Sequence, residues 1–559
     1  DDLPARDLVA TALAGEPRRQ AALDAWWDLT TALMEVHCEY DVGSERMLAE
    51  QGSVADGEIR LGEQAYRVVV LPRMVSMRGR TLELLGRFVE AGGTIIVTGE
   101  TPGYLDGSRS RIARSFFQRD FIVRCRPTRA SLAQCLDKVN PPSIGITTRG
   151  GRNIASVYAH RRVLRGRDLC FFASMDRQRT RHATIAVPDA GEVELWDAMT
   201  GDVHPLPSRT HEGRRLFDLD FPPGASFLVS VGKATKGATP LPEPPGPRRR
   251  KKIALAPIWR KRRLGPNALV LDFCKRRIGR GRWSARLPVH EAQRAACERF
   301  DLPFDPGNRG TQFWKAYQEM ERLGEKARVR LRYEFVSELS EEAAGGLKLV
   351  VECGERFEAQ VNGKAVAFDG WWRDPAFHTA EIGHAVQEGE NRIDLAIEFR
   401  QDVELEPSFL IGDFALDKDL VLVDEKPTLK TGDWTAQGYP FYADAMAYEQ
   451  TVHLDAVPET ASLCFEGLDA IVSRVEVNGE DAGLVFAEPL EADVADLLRE
   501  GDNKIVVEVY PSLHNLIGPT HYGGEPSRIT GPGHFFAAWT DEYQLQPYGI
   551  AGDVWLEIG

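Results

Sequence analysis

The sequence lacks the patterns that mark membrane proteins, zinc sites and nucleotide-binding enzymes. No stretch comes near the roughly 18 unbroken apolar residues of a membrane-spanning helix. The eight cysteines form no C-x-x-C pair and no zinc-ligand spacing with a histidine. No G-x-G-x-x-G or Walker loop follows a strand-like segment, and the G-x-S-x-G elbow of serine hydrolases does not occur. We therefore expect no membrane contact and no organic cofactor.

The charge of the chain argues against a further class of protein. The formal net charge is −14, which argues against general nucleic-acid binding because an acidic surface repels the phosphate backbone. The charge fits a neutral or cationic partner, or it serves solubility. Cys170 and Cys464 lie in apolar runs typical of small buried thiols. Reduced thiols favour a cytoplasmic setting over an exported one.

What is present is enough apolar sequence for several domains. A length of 559 residues corresponds to about four domains at roughly 150 residues each. The hydrophobic content of 43% and the charged content of 27% are typical of globular proteins. The chain is therefore long enough to bury several separate cores.

Residues 1–120 predict an α/β domain. Residues 66–72 form a continuous β-branched apolar run, which is typical of a parallel strand buried on both faces. Residues 77–91 carry apolar side chains at helical spacing and end at two glycines, and 94–99 is a second strand-like run. A helical pattern at 20–36 precedes them. The order predicts a β-α-β unit of the doubly wound type, which we interpret as a scaffold.

Residues 121–235 predict an antiparallel β-sandwich, because short strand-like runs alternate with turn signals such as the Pro-Asp-Ala-Gly at 188–191. Residues 236–252 follow as a proline-rich linker that ends in the basic run 248–252. Such a run can bind polyanions, but it is more often a solvated connector.

The second half of the chain contains an internal repeat. Asn362-Gly363 and Asn478-Gly479 each lie between alternating strand-like runs, and each is followed by Gly-acid-Asn and a β-branched run. Asn-Gly accepts positive φ at both central positions of a tight hairpin. The repeat predicts two copies of one β-rich unit. We place them at 253–425 and 426–559, the first with an N-terminal leader at 259–300.

Several segments resemble parts of large α-L-rhamnosidase-like glycoside hydrolases of the family 106 type. The W-D-A-M-T-G run at 196–201 resembles a hairpin that closes a sandwich domain in those enzymes. The α/β segment resembles their glutamine-amidotransferase-like, trimerisation-type domain, and the repeat resembles their galactose-binding-like jelly rolls. Motifs at 432–434, 438–442 and 512–519 follow the same order. The resemblance covers nearly the whole chain.

The resemblance implies a fold class and a role. The fold class is multidomain and mainly β: one α/β flavodoxin-like domain, a β-sandwich and two galactose-binding-like jelly rolls. Those enzymes carry two catalytic carboxylates on a (β/α)8 barrel that precedes the α/β domain, and this sequence has no such alternation. We therefore expect an accessory region of a glycoside hydrolase acting on rhamnose- or galactose-containing glycans, with the barrel upstream in the same protein. No catalytic residue can be carried over.

Two segments have the composition of a sugar-binding surface. Pyranose rings stack on aromatic side chains, and their hydroxyls bond to Asn, Asp, Arg and His. The candidate carbohydrate-binding residues are Trp371, Trp372, Arg373, Asp374, His514, Asn515, His521, Tyr522 and Trp539. The second segment also contains 534–536 and the Gly- and Pro-rich stretch 518–533, which predicts a long ordered loop. The alternative is that these aromatic side chains only close the ends of the sandwiches.

Catalysis and metal binding have less support in the sequence. A glycosidase needs two carboxylates about 5–9.5 Å apart across the sugar. Asp374, Asp541 and Glu542 lie among aromatic residues, but adjacent acids on a strand point apart. Asp493 and Asp496 are candidates for structural calcium. The alternatives are a structural protein that forms homo-oligomers through its α/β domain, and a complete glycosidase with an unrecognised site.

Overall fold

The computed structural model describes residues 17–241, 251–300, 304, 327–400, 403–524 and 538–559. The first of two compact units contains the chain up to residue 246, and the second contains most of the chain from residue 247 on. Strands hold 43% of the residues and helices 17%, which confirms the predicted multidomain, mainly β fold class. Among the described helices, none combines the length and apolar composition needed to cross a membrane.

A small parallel sheet forms the centre of the α/β region. Its strands, in spatial order, are Val68–Leu71, Thr94–Val97 and Ile122–Arg124. Helices Gly79–Glu90 and Arg111–Phe117 connect them. Leu85 and Phe88 lie on one helical face and are buried with Ile95. The predicted strand–helix–strand unit is therefore confirmed. The flanking elements are helix Glu45–Gln51 and strands Ser53–Ala55, Glu58–Leu61, Gln64–Tyr66, Ser76–Met77, Tyr104–Leu105 and Ser108–Arg109.

The α/β region extends past the predicted boundary at residue 120. Its third parallel strand begins at Ile122, and helix Arg129–Val139 packs on helix Pro17–Glu35 through Leu132 and Leu33. The boundary therefore falls inside this region. The third strand spans three residues, too few for a periodic pattern to indicate it. The predicted helix at 20–36 is confirmed, whereas residues 1–16 lie outside the described residues.

A sandwich of two antiparallel sheets follows, and we call it sandwich 1. One sheet contains Gly145–Thr147, Arg181–Pro188, Arg214–Phe221 and Ser208–His211, and the other contains Val157–Leu164, Arg167–Ser174, Ser226–Gly232, Glu192–Trp196 and Val203–Pro205. Successive residues of a strand point to opposite faces, so that Phe172, Ile185 and Phe217 meet between the sheets. The predicted hairpin at 196–201 is confirmed, with Asp197 Oδ1 accepting from the N–H of Met199 at 2.8 Å.

The second unit contains two further sandwiches. One sheet of sandwich 2 contains, in spatial order, Asn267–Leu271, Ser408–Gly412, Lys348–Glu352, Asp374–Glu381 and Gly370–Trp372. Its other sheet contains Leu287–Pro288, Phe273–Ile278, Ala327–Glu338, Gly389–Phe399, Glu358–Val361 and Lys364–Val366. One sheet of sandwich 3 contains, in spatial order, Lys251–Ala254, Val554–Ile558, Ala461–Phe465 and Glu491–Asp493. Its other sheet contains Thr428–Lys430, Ile258–Arg263, Met446–Leu454, Gly501–Tyr510, Val472–Val477 and Glu480–Val485. The minor elements are helices Val289–Arg299, Glu341–Gly345 and His514–Ile517, strands Ala415–Leu416, Leu422–Val423, Leu468–Asp469 and Gly549–Ile550, and single turns Gly354–Arg356, Gly383–Ala385, Thr435–Gln437 and Ala495–Leu497.

Sandwiches 2 and 3 are interleaved along the chain. Strands Lys251–Ala254 and Ile258–Arg263 pair within sandwich 3, although they precede every strand of sandwich 2. Leu516 and Tyr543, near the end of the chain, pack against the core of sandwich 2. The predicted boundary at residue 425 therefore does not separate two independent units.

The predicted leader and linker are corrected for the same reason. Within 259–300, the first strand belongs to sandwich 3, and the strands from Asn267 on belong to sandwich 2. Residues 251–252, at the end of the predicted linker, are part of a strand, and 242–250 lie outside the described residues. Local composition does not show which distant strand a given segment will pair with.

The repeat is confirmed as a pair of equivalent hairpins. Asn362 and Gly363 have φ values of 49° and 81°, and Asn478 and Gly479 have 55° and 89°. Positive φ at both central residues is the geometry of a tight hairpin whose twist matches that of the flanking strands. Each turn joins neighbouring antiparallel strands, one pair in each sandwich.

Two asparagine side chains lock each hairpin to the adjacent long strand. Asn362 Nδ2 donates to Asn391 Oδ1 at 2.7 Å, and Asn478 Nδ2 donates to Asn503 Oδ1 at 2.9 Å. Asn391 and Asn503 are 3% and 0% exposed, and both also bond the backbone of the preceding loop. The asparagine of each Gly-acid-Asn motif is thus the partner of the Asn-Gly turn.

A partly buried ionic cluster secures the first strands of sandwich 3. Arg263 donates to Glu425 through Nε at 3.0 Å and Nη2 at 2.9 Å, and to Asp413 at 2.7 Å. Tyr439 Oη donates to the same Glu425 carboxylate at 2.8 Å, and Lys261 Nζ pairs with it. Burial by itself would raise the pKa of Glu425, but hydrogen bonds from Arg263 and Lys261 and their positive charges lower it to about 2.

Replacement of Glu425 by Gln is expected to destabilise the fold in a pH-dependent way. A carboxyl group with a depressed folded-state pKa stabilises the fold above its unfolded pKa, and this stabilisation is lost as the pH falls towards the folded value. For a shift of this size the wild-type advantage is roughly 3 kcal/mol near neutral pH. It should disappear as the pH falls from 4.5 towards 2.

Urea unfolding of both proteins across this pH range measures the difference. The control is Glu480→Gln at an exposed position, which should track the wild type at every pH. An E425Q protein that unfolds like the wild type at neutral pH would contradict the stabilising role of this carboxylate.

Candidate functional site

A buried carboxylate with two side-chain partners lies at one end of sandwich 2. Asp272 follows strand Asn267–Leu271 and is 7% exposed. His521 Nε2 lies 2.7 Å from Asp272 Oδ2, and Tyr543 Oη donates to Asp272 Oδ1 at 2.9 Å. His521 Nδ1 lies 2.8 Å from the carbonyl oxygen of Thr540. Both ring nitrogens therefore lie within hydrogen-bond distance of an oxygen, so that the His521 ring is held on both sides.

Aromatic rings enclose this polar network. The Trp539 ring stacks on His521 with centroids 4.4 Å apart, and His290 meets Trp539 edge-on at the same distance. Phe273 meets the edge of His521 at 5.5 Å. Burial, together with the positive charge of Arg294, lowers the pKa of His290 to about 4. His290 is therefore neutral at physiological pH.

A cavity of about 200 Å³ adjoins the network. Its lining includes Tyr543 and outward-facing side chains of sandwich 2, namely Phe273, Lys275, Arg286, Arg332 and Glu334. The Arg286 guanidinium lies 4.0 Å from the centre of the Phe273 ring, and Lys275 Nζ lies 2.7 Å from Glu334 Oε1. The volume is below the ~300–1,000 Å³ typical of sites for drug-sized ligands. It therefore suits a single small group.

The lining of the cavity supports binding more directly than cleavage. Lys275 and Arg286 are hydrogen-bond donors, Glu334 is an acceptor, and Phe273 offers an apolar ring. Both carboxylate oxygens of Asp272 already accept hydrogen bonds. Asp272 is thus a positioning residue that fixes Tyr543 at the cavity.

The predicted Trp371–Asp374 segment is a tight hairpin. It reverses at Arg373, whose φ is 63°, between strands Gly370–Trp372 and Asp374–Glu381. The Trp371 side chain is 61% exposed. Trp372 packs on the core at Phe409, and Arg373 pairs with Asp444 at 2.7 Å. Asp374 is exposed and accepts from the next-but-one backbone N–H at 2.8 Å. Trp371 is therefore the ring of this segment that is presented to solvent.

The predicted C-terminal residues divide between the network and the scaffold. His521 and Trp539 belong to the network, and Tyr522 forms a backbone bridge with Trp539. His514 begins a short helix. The Asn515 amide is fully buried and bonds the backbone of Gln546 at both ends, 2.9 Å each. Asn515 therefore supports the fold, and residues 534–536 lie outside the described residues.

The candidate acids have local structural partners. Asp541 Oδ1 accepts from Trp539 Nε1 at 2.8 Å, and Glu542 is exposed beside it. Asp493 Oδ1 accepts from the N–H of Ala495 at 3.1 Å at the start of a single helical turn. Within the described ranges, no group of three or more His, Cys, Asp or Glu side chains converges as metal ligands would.

Sequence reasoning missed Asp272, Tyr543 and the charged lining of the cavity. Asp272 is 249 positions from His521, and no local pattern indicates such a pairing. The one available signal was the run of basic residues at 275–286, which lies inside the segment that we interpreted as a leader.

No family model and no curated protein matches the chain. Among solved structures, it is similar to a rhamnosidase from Novosphingobium sp. PP1Y, with 14% identity, a TM-score of 0.39, and coverage of 91% of this chain and 35% of that one. An α-L-rhamnosidase from Streptomyces avermitilis, solved with L-rhamnose, shows 12% identity, a TM-score of 0.22, and coverage of 74% and 38%. α-L-Fucosidase isoenzyme 2 from Paenibacillus thiaminolyticus shows 11% identity and a TM-score of 0.24, with coverage of 37% of this chain and 45% of that one. The chain spans less than half the length of each of these glycoside hydrolases, and at these TM-scores the likeness does not extend to function.

Replacement of His521 by Leu is expected to destabilise the second unit by about 1–3 kcal/mol, because it leaves a buried oxygen of Asp272 without its hydrogen-bond partner. The matched control is His453→Leu, which breaks a His–Asp pair whose side chains are 66% and 74% exposed. We expect no measurable change from that substitution. Urea unfolding followed by tryptophan fluorescence compares the two, and equal stability losses would contradict a stabilising role of the buried His521–Asp272 contact.

Proposed function

We propose that this chain is an accessory region of a family 106-type glycoside hydrolase that acts on rhamnose- or galactose-containing glycans. A catalytic barrel upstream in the same protein would carry the chemistry. The observation that carries the proposal is the cavity of sandwich 2, where charged donors and an acceptor surround a space of about 200 Å³ beside an aromatic ring. Sugar hydroxyls and C–H faces need this combination.

The residues proposed to contact carbohydrate lie in one sandwich. Lys275, Arg286 and Glu334 supply polar contacts at the cavity, and Phe273 supplies an apolar ring. Trp371, on the edge strand of the other sheet, is a second exposed platform. The order of family-like motifs in sandwich 3 supports the proposal at the level of the sequence.

Glu334→Gln is expected to weaken the binding of rhamnosyl or galactosyl oligosaccharides by about tenfold, since a hydrogen bond to a charged group contributes roughly 1.5–3 kcal/mol. The matched control is Glu338→Gln, an exposed glutamate on the same strand outside the cavity. Calorimetric titration measures both. If only Trp371→Ala weakens binding, the contact lies at the hairpin instead.

The absence of binding to every rhamnosylated and galactosylated glycan tested would leave a structural role. In that case the α/β region becomes the candidate for homo-oligomerisation, and light scattering measures the assembly directly. A chain that assembles without binding sugar would replace the present proposal with that alternative.

A further inference from the structure

Five cations lie on one face of sandwich 2 and two more lie in the adjoining turn, in a chain with a net charge of −14. We call this surface the basic face, and its residues are Lys275, Arg277, Arg280, Arg282, Arg286, Arg330 and Arg332. Two of them pair with carboxylates on the face: Lys275 with Glu334 and Arg332 with Asp394, each at 2.7 Å. In the described part of the chain, the other five form no ion pair.

Strand register places these side chains together. Arg277 lies directly opposite Arg330, and Lys275 lies opposite Arg332, across a pair of antiparallel strands. The inward-facing residues of the longer strand, such as Leu331, are buried in the core. The four cations therefore share the outer face of the sheet.

The segment after the strand adds Arg286 to the same face, while Arg280 and Arg282 lie in the turn at its edge. After the turn that carries Arg280 and Arg282, Ser284 N–H donates to the carbonyl of Arg276 at 2.9 Å. The segment then runs beside the first strand, and Arg286 reaches the Phe273 ring at 4.0 Å. Arg332 covers the Trp283 ring at 4.2 Å. Two arginines of the face thus each cover an aromatic ring.

Like charges directly opposite each other on neighbouring strands destabilise a sheet. The Arg277–Arg330 pair carries this cost without a carboxylate between them in the described residues. An anionic ligand would relieve the repulsion. Arginine suits this role because its planar fork binds a carboxylate or sulfate with two hydrogen bonds.

We propose that the basic face binds an acidic polysaccharide, whose carboxylate groups pair with its arginines while one sugar unit occupies the adjoining cavity. This inference rests on the proposed function and names the glycan class. The net charge of −14 disfavours a duplex nucleic acid, which carries one charge per ≈ 1.7 Å of helix axis. A polymer with one carboxylate per sugar unit has a lower charge density, and its C–H faces match the aromatic rings.

The test uses the full chain with polygalacturonate as the probe and neutral dextran as the reference polymer. We expect polygalacturonate to bind, to bind more weakly as salt is raised from 50 to 200 mM, and dextran not to bind. Arg277→Gln/Arg280→Gln/Arg330→Gln should weaken binding by tenfold or more. The matched control, Arg162→Gln/Arg177→Gln/Arg179→Gln, removes the same charge from exposed positions of sandwich 1 and should bind like the wild type.

A variant that preserves the charge distinguishes a loss of binding contacts from misfolding. Arg277→Lys/Arg280→Lys/Arg330→Lys keeps the salt dependence but should bind severalfold more weakly, because lysine cannot make the bidentate contact. Failure of polygalacturonate to bind, or equal weakening in the matched control, would overturn the inference. So would tighter binding of duplex DNA, or a self-association that the glutamine variant abolishes. If neutral rhamnosyl or galactosyl oligosaccharides bind while polygalacturonate does not, this inference fails and the proposed function stands.

Discussion

The buried carboxylate of Asp272 is the constraint on which the candidate site depends. A carboxylate removed from water is tolerated only where hydrogen bonds and an opposite charge replace its hydration. Here His521 and Tyr543, from the last part of the chain, supply hydrogen-bond partners to the two oxygens. That requirement brings the C-terminal segment back onto sandwich 2 and places Tyr543 at the wall of the cavity.

Sandwiches 2 and 3 are likewise completed by segments that are distant in the chain. The strands before residue 264 complete sandwich 3, and residues after 513 cover the core of sandwich 2. Neither sandwich can be cut out at a single chain position without exposing apolar surface that its neighbour's segment covers. The repeated asparagine lock supports the two folds alike, whereas the cavity and the basic face belong to sandwich 2.

Elements with a strong local signal were predictable from the sequence. The parallel strand at Val68–Leu71 is continuously apolar, and both Asn-Gly turns carry the residues that positive φ requires. The third parallel strand is three residues long and gave no periodic pattern. Trp371, a carbohydrate-binding candidate by composition, is exposed, whereas Asn515, a candidate on the same ground, is buried and bonds backbone groups. Composition alone does not distinguish an amide that faces solvent from one that faces a buried carbonyl.

Local signals were enough to predict the longer helices, the apolar parallel strands and the paired hairpins, because propensity, hydrophobic period and turn chemistry act over a few neighbouring residues. The three-dimensional fold sets which sandwich each strand joins, which histidine contacts Asp272 and which arginines share a face. Those choices depend on contacts between distant residues, such as Asp272 and Tyr543, which are 271 positions apart. They are set by the burial of whole surfaces, which no short segment encodes.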